Sequence, residues 1–410
     1  MLAEGPCAST PAHSPQGPTR SNPGSTVLRR YTLDGDDELE LQLDKTCARI
    51  TSGVRGLIPA LKLEAVLLGG GYGRGEGGVL SGKSGDRPYN DLECFVAIRG
   101  LRHVNEFRYH RRLDVLGEIL THLADVEVEF KITSLSEMAS RPPGMFLYDL
   151  ASGHRLLWSN PTADPEASLA SHRNPGDILQ EDATRLLMNR CSGLLFASAL
   201  LAKGPFTPSA ADFVGRNIAK AQLAFGDALL AANGRYHWSC RERHRRLADL
   251  AQAKHSPWLD GVLRHHAVGL EFKLRPQTVA LSHGELIARH SEVTAFALKC
   301  WLWLETRRLG RVFPTAKAYA DDHGNKCPGT SPFQNVVLNL RADVLRLHAV
   351  ARPWRHPRQR VLESLALLLW EPGSTDDPIQ RRRIRARLAI HGSGTVDWVT
   401  AYRALWARVR

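Results

Sequence analysis

The stretch AVLLGGGYGRGEGG, residues 65–78, and the later YNDLECFV, residues 89–96, decide how this chain is read. Four apolar residues, 65–68, end in Gly69, Gly70 and Gly71. A second apolar run then carries Asp91 and Glu93 two positions apart. Successive strand residues point to opposite faces, so Asp91 and Glu93 share one face and Leu92 and Cys94 the other. Two carboxylates beside a glycine-rich turn suit a divalent metal that holds a nucleoside triphosphate. Oxygen ligands of this kind select magnesium or manganese. Glycines let backbone N–H groups approach phosphate oxygens closely.

The segment GGYGRGE, with Gly70, Tyr72, Gly73, Arg74, Gly75 and Glu76, followed by Asp91-Leu92-Glu93, resembles the signature of the DNA polymerase beta-like nucleotidyltransferase superfamily. That signature is a Gly-Gly or Gly-Ser pair after a strand, then an acidic-x-acidic strand, then a third acid on a later strand. The wording GGYGRGE is closest to the nitrogen-regulatory uridylyltransferases. The resemblance covers roughly residues 40–160. The interval from Gly70 to Asp91 is longer than the family's usual loop, which suggests an inserted lid or loop. The second acid is Glu93 where Asp is commoner, which changes metal reach. The histidine-aspartate phosphohydrolase signature of a full uridylyltransferase is not found further on, so the expected type is the bacterial stand-alone enzyme with a helical C-terminal domain.

The third carboxylate is expected in DVEVEFKI, residues 125–132. There Val126, Val128, Phe130 and Ile132 alternate with Glu127, Glu129 and Lys131. Glu129 is favoured, with Glu127 as the alternative on the same face. The bland reading of both is the solvent side of an edge strand. The resemblance implies in-line attack on the α-phosphate of an NTP, with ATP as the default. Asp91 and Glu93 would bind two metals, and Glu129 or Glu127 would hold the metal near the acceptor hydroxyl and take its proton. Amides of Gly69, Gly70 and Gly71 would cradle the triphosphate, and Arg74 would neutralise it. Related enzymes send a lysine from the helical domain, and Lys220 is the candidate. Arg185 and Arg190 have less support. A solvated helix face explains Lys220 equally well.

Two other glycine patterns are decoys. Residues 77–84, GGVLSGKS, match the P-loop spacing, but the residues after Ser84 cannot open a helix cleanly. Residues 73–78 match GxGxxG without a following helix. Residues 96–99 resemble the kinase VAIK with arginine for lysine, but neither HRD nor DFG follows.

The 410 residues suffice for two or three domains. Hydrophobic residues at 43% and charged residues at 23% fit an ordinary globular protein. The net charge of +12 favours an anionic partner: a nucleotide, RNA or an acidic protein. A solvated arginine surface accounts for it equally. The basic run Arg381, Arg382, Arg383, Arg385 and Arg387 is the most concentrated instance. Seven cysteines without a CxxC indicate neither a disulfide framework nor a zinc site. His244, His265 and His266 lack partners at metal spacing. With neither a signal-peptide pattern nor an apolar run long enough to cross a bilayer, a cytoplasmic location without membrane contact is expected.

The expected class is α+β. A nucleotidyltransferase-fold mixed sheet with flanking helices occupies residues 27–160, after a disordered tail at 1–26. A linker at 161–176 leads to an all-helical domain at 177–410. Strands are expected at 27–33, 39–43, 65–68, 92–98, 125–132 and 154–158. Helices are expected at 111–123, 177–203 with Asp177 as N-cap, 213–232, 256–272, 284–309, 331–350, 357–370, 378–390 and 395–408. An alternative of a different class is a catalytically silent nucleotide- or nucleic-acid-binding protein of the same fold.

Overall fold

The chain opens with helix α1, Asp37–Leu57, whose N-cap Asp36 accepts from the Leu39 amide. The alternation Leu39, Leu41, Leu43 suggested a strand here. The residues that are buried, Leu39, Leu43, Cys47, Ile50 and Val54, follow helical spacing instead, and Leu41 is left exposed. The computed structural model describes residues 30–83, 85–203, 206–277, 281–342, 352–390, 394 and 396–409. The tail at 1–26 and the start of the strand expected at 27–33 therefore lie outside the described residues. Of that strand only a single bridge, Thr32 to Gly77, is seen.

Strand β1, Leu63–Leu68, runs into the short helix α2, Gly70–Arg74. The long interval before Asp91 is a hairpin of β2, Val79–Gly82, and β3, Gly85–Pro88. Strand β4, Leu92–Ile98, leads through α3, Arg102–Ala124, to β5, Val128–Thr133. Helix α3 begins earlier than expected and turns differently: Tyr109, Leu113 and Leu120 are buried, whereas Ile119 and Leu123 face outward. Helices α4, Leu135–Ser140, and α5, Met145–Gly153, precede β6, Arg155–Ser159. The mixed sheet has the order β5-β4-β1-β6. β4 is antiparallel to β1 and parallel to β5, and α3 is the crossover a parallel pair requires.

The expected linker holds α6, Pro165–Leu169, and two 3-10 turns. Helix α7, Gln180–Leu201, is capped by Leu179, because Asp177 belongs to the second of those turns. There follow α8, Pro208–Ala232; α9, Cys240–Lys254; α10, Pro257–Leu274; and α11, His283–Leu309. Then come α12, Ala316–Asp321; α13, Pro332–Ala342; α14, Pro357–Trp370; α15, Pro378–Arg387; and α16, Trp398–Val409. Helix α9 was not anticipated, since its start, CRERHRR, shows little apolar pattern. The helix expected at 331–350 is described only as far as 342. The chain is thus α+β, with a small mixed sheet and a helical C-terminal region. Among the described residues no helix is long and apolar enough to cross a membrane.

The sheet is packed on both faces. Leu92, Cys94, Val96 and Ile98 join the buried residues of α1 and α3. Phe95 and Ala97 pack with Leu135, Met138, Leu150 and Leu169 from α4 to α6. A third cluster fills the helical region around Leu194, Phe225 and Trp301. Tyr72, wholly buried, fastens the glycine turn to the hairpin. Its hydroxyl donates to the Gly78 carbonyl at 2.8 Å and accepts from the Tyr89 amide at 2.9 Å. Tyr72→Phe removes both bonds and leaves the Tyr89 amide and the Gly78 carbonyl only their direct bond to each other at 3.2 Å. It is expected to lower stability by about 1 kcal/mol, read as an earlier denaturant midpoint; an unchanged midpoint means the bonds contribute nothing net.

Candidate functional site

The pairing of β4 with β5 places Glu93 opposite Glu129. Asp91 lies one residue ahead of β4, on the same side as Glu93. The nearest carboxylate oxygens of Asp91, Glu93 and Glu129 all lie within 4.8 Å of one another, close enough to share a metal ion. Glu127 is not part of that group; its side chain is exposed, and its carbonyl accepts from the Leu92 amide at 2.8 Å. Lys131 lies on the acidic face, with Nζ 3.3 Å from Glu93 and 3.0 Å from Glu129. Burial disfavours its charge, but the two carboxylates outweigh that and its pKa is raised.

Asp91 and Glu93 line a cavity of about 940 Å³ between the sheet and helices α5, α7, α8 and α10. Gly70 and Gly71 line it at the first turn of α2, where N–H groups lack partners within the helix. Gly70 has φ of 62°, a conformation few side chains accept. Gly69 is different: its amide donates to the Glu93 carbonyl at 2.8 Å. Its N–H is therefore committed to the sheet and does not serve a phosphate cradle as expected.

Besides Arg185 and Arg243, which have acidic partners, three cations line the cavity from the helical side: Arg190 from α7, Lys220 from α8 and Lys273 from α10. None makes a hydrogen bond or ion pair among the described residues. Lys220 is pushed down in pKa by burial and by the charges of Arg190 and Arg216. Burial and Arg74 do the same to Lys273. Burial also lowers Arg190. Cations that depress one another, with no acid in ion-pair contact, make a strong site for a polyanion. Lys273 gave no sequence signal. It is delivered by the approach of α10 to α8 at Gly269, where a Cβ would stand 2.4 Å from the Leu223 amide nitrogen.

Other expected residues have structural partners. Arg74 lines the cavity but pairs with Asp149 at 3.2 Å. Asp149 also accepts from the Tyr236 hydroxyl, which accepts from Arg243 at 2.9 Å. Arg243 pairs with Asp227 at 2.7 Å, and His266 lies 3.1 Å from the same carboxylate oxygen. Burial opposes the charge on Asp227, yet Arg243 and His266 hold its pKa low. Asp227 is buried, and Arg216, one turn before Lys220 on α8, pairs with Asp212. Arg185 lines the cavity and pairs with Asp182. In the basic run, Arg383 and Arg387 lie within 4.0 Å of Asp321, and Arg387 also pairs with Glu363. Residues 79–82 of the segment with P-loop spacing are the strand β2, paired with β3, and not the turn into a helix.

Comparison with protein-family models, with curated proteins and with solved structures finds no match.

Glu76 of the GGYGRGE segment anchors α9. Its buried carboxylate accepts from the Ser239 hydroxyl and from the Cys240 amide at 2.8 Å. Burial would raise its pKa, but these bonds outweigh it and the pKa is lowered. A lowered carboxylate pKa gives stability that is complete above the unfolded value, about 4.3, and is lost as pH falls through the folded value. Wild type is therefore expected to exceed Glu76→Gln in melting temperature at pH 7, with the gap closing below about pH 4. A gap constant from pH 7 to pH 3 contradicts the ionised anchor.

Proposed function

We propose that the chain is a metal-dependent nucleotidyltransferase that moves a nucleoside monophosphate from an NTP to a hydroxyl acceptor. The reading rests above all on one observation. One cavity is lined by the carboxylates of Asp91 and Glu93, which Glu129 adjoins, and by the unpaired cations Arg190, Lys220 and Lys273. Those acids suit magnesium, and those cations suit a triphosphate. The GGYGRGE and Asp91-Leu92-Glu93 segments support the same reading through their resemblance to polymerase beta-like enzymes.

In this reading Asp91, Glu93 and Glu129 hold the magnesium. Bound there, the metal supplies charge stabilisation at the attacking and leaving oxygens. Lys220, Lys273 and Arg190 neutralise the β- and γ-phosphates and orient the α-phosphate toward the acids. Gly70 and Gly71 let the chain approach the phosphates without a side chain in the way. Glu129, the most exposed of the three acids, takes the acceptor's proton.

One observation favours the silent binder: a lysine, Lys131, stands between two of the three acids. Melting against ATP, GTP, CTP and UTP, with and without magnesium, separates the two. A ligand at a hundred times its dissociation constant adds about 2.7 kcal/mol. The enzyme reading expects one NTP to raise the melting temperature only with magnesium, the rise to vanish in Asp91→Ala, and to shrink in Lys273→Met. A rise that ignores magnesium and Asp91 supports the silent nucleotide binder; no rise with any NTP removes both the enzyme and the nucleotide binder and leaves only nucleic acid as a ligand.

A further inference from the structure

The register of the two acidic strands sets up a charge problem that one residue resolves. Glu93 and Glu129 are direct partners on parallel strands, and like charges in that position repel. Lys131 lies two residues beyond Glu129, so its side chain leaves the same face of the sheet. Its ammonium reaches back to bridge the pair, 3.3 Å from Glu93 and 3.0 Å from Glu129. It also lies 5.6 Å from the centre of the Phe95 ring. Phe95 itself is held by Phe146 of α5, with ring centres 5.4 Å apart.

Resting on the metal reading above, we infer that Lys131 is the resident counter-ion of the ligating carboxylates and competes with the divalent ion for them. An ammonium at hydrogen-bond distance from Glu93 and Glu129 occupies the space a shared ion needs. It also removes one of the three negative charges that would draw such an ion in. Metal without nucleotide therefore has to displace a positive charge already in place. The balance changes once a triphosphate is held by Arg190, Lys220 and Lys273. The phosphates bring further oxygen ligands for the ion, and they give the displaced ammonium a new anionic partner. Lys131 thus couples the two ligands: metal and nucleotide load together, and the acids are kept from binding stray divalent ions between turnovers.

The test is titration of the full-length protein with manganese, following the free ion by electron paramagnetic resonance, with and without a non-hydrolysable ATP analogue. The variants are Lys131→Met, Lys131→Gln, Lys131→Arg and Glu93→Gln. Lys131→Met keeps an aliphatic stem against Phe95, and Lys131→Gln provides a second neutral variant if that packing changes. Without the analogue, both neutral variants are expected to bind manganese about tenfold more tightly than wild type, and Lys131→Arg no more tightly. The gain on adding the analogue is expected to be smaller in the neutral variants than in wild type. If they bind no more tightly than wild type while Glu93→Gln loses the ion, the counter-ion role is overturned and the metal site stands. If no variant binds manganese under either condition, or Glu93→Gln binds it like wild type, the metal site falls and this inference falls with it.

Discussion

Glu93 and Glu129 are neighbours because β4 and β5 run parallel and in register, and the rest of the structure is arranged around holding that repulsion in place. Charges of one sign this close favour unpairing or protonation unless the scaffold is stiff or a cation is near. Stiffness comes from the strands themselves. Leu92, Cys94, Val96 and Ile98 are fully buried against α1 and α3, and a slip by one residue would turn them to the cavity. The antiparallel pairing with β1 fixes the other edge of β4 and brings the glycine turn beside the acids. Because Gly69 donates to the carbonyl of Glu93 itself, turn and acid strand are one unit.

The helical region is joined to that unit by polar contacts more than by a continuous apolar core. Glu76 reaches from the glycine segment to the start of α9. Arg74, Asp149, Tyr236, Arg243, Asp227 and His266 form a chain of charges and hydroxyls running from α2 through α5 to α8, α9 and α10. Each member pairs with the next, and losing a charged one leaves a buried charge without its partner, typically at 3–5 kcal/mol. Such a chain specifies distance and angle where a greasy contact would tolerate sliding. It holds the cations of α7, α8 and α10 over the acids.

Much of this was legible along the chain, and the exceptions have physical causes. Strands β1, β4, β5 and β6 were readable because apolar runs and strict alternation are local signals. Helices α8, α10, α11 and α14 were readable from their stripes and caps. The choice between Glu127 and Glu129 was not, because both lie on one face and only pairing with β4 selects between them. Helix α1 was masked by three alternating leucines, and α9 by its charges. Arg74 was assigned to a ligand although its partner, Asp149, lies 75 residues away in sequence. Lys273 carries no pattern at all; its importance comes from where α10 crosses α8.

That crossing has a consequence of its own. At Gly269 the two helices meet with backbone against side-chain space, and Lys273 follows four residues later, about 6 Å along the axis. The missing methyl group therefore acts as a gauge for the mouth of the cavity. Any side chain at that point would be a wedge, tilting α10 outward and drawing the lysine back like the far end of a lever. The reach of the cation over the acids is set by a residue with no side chain at all.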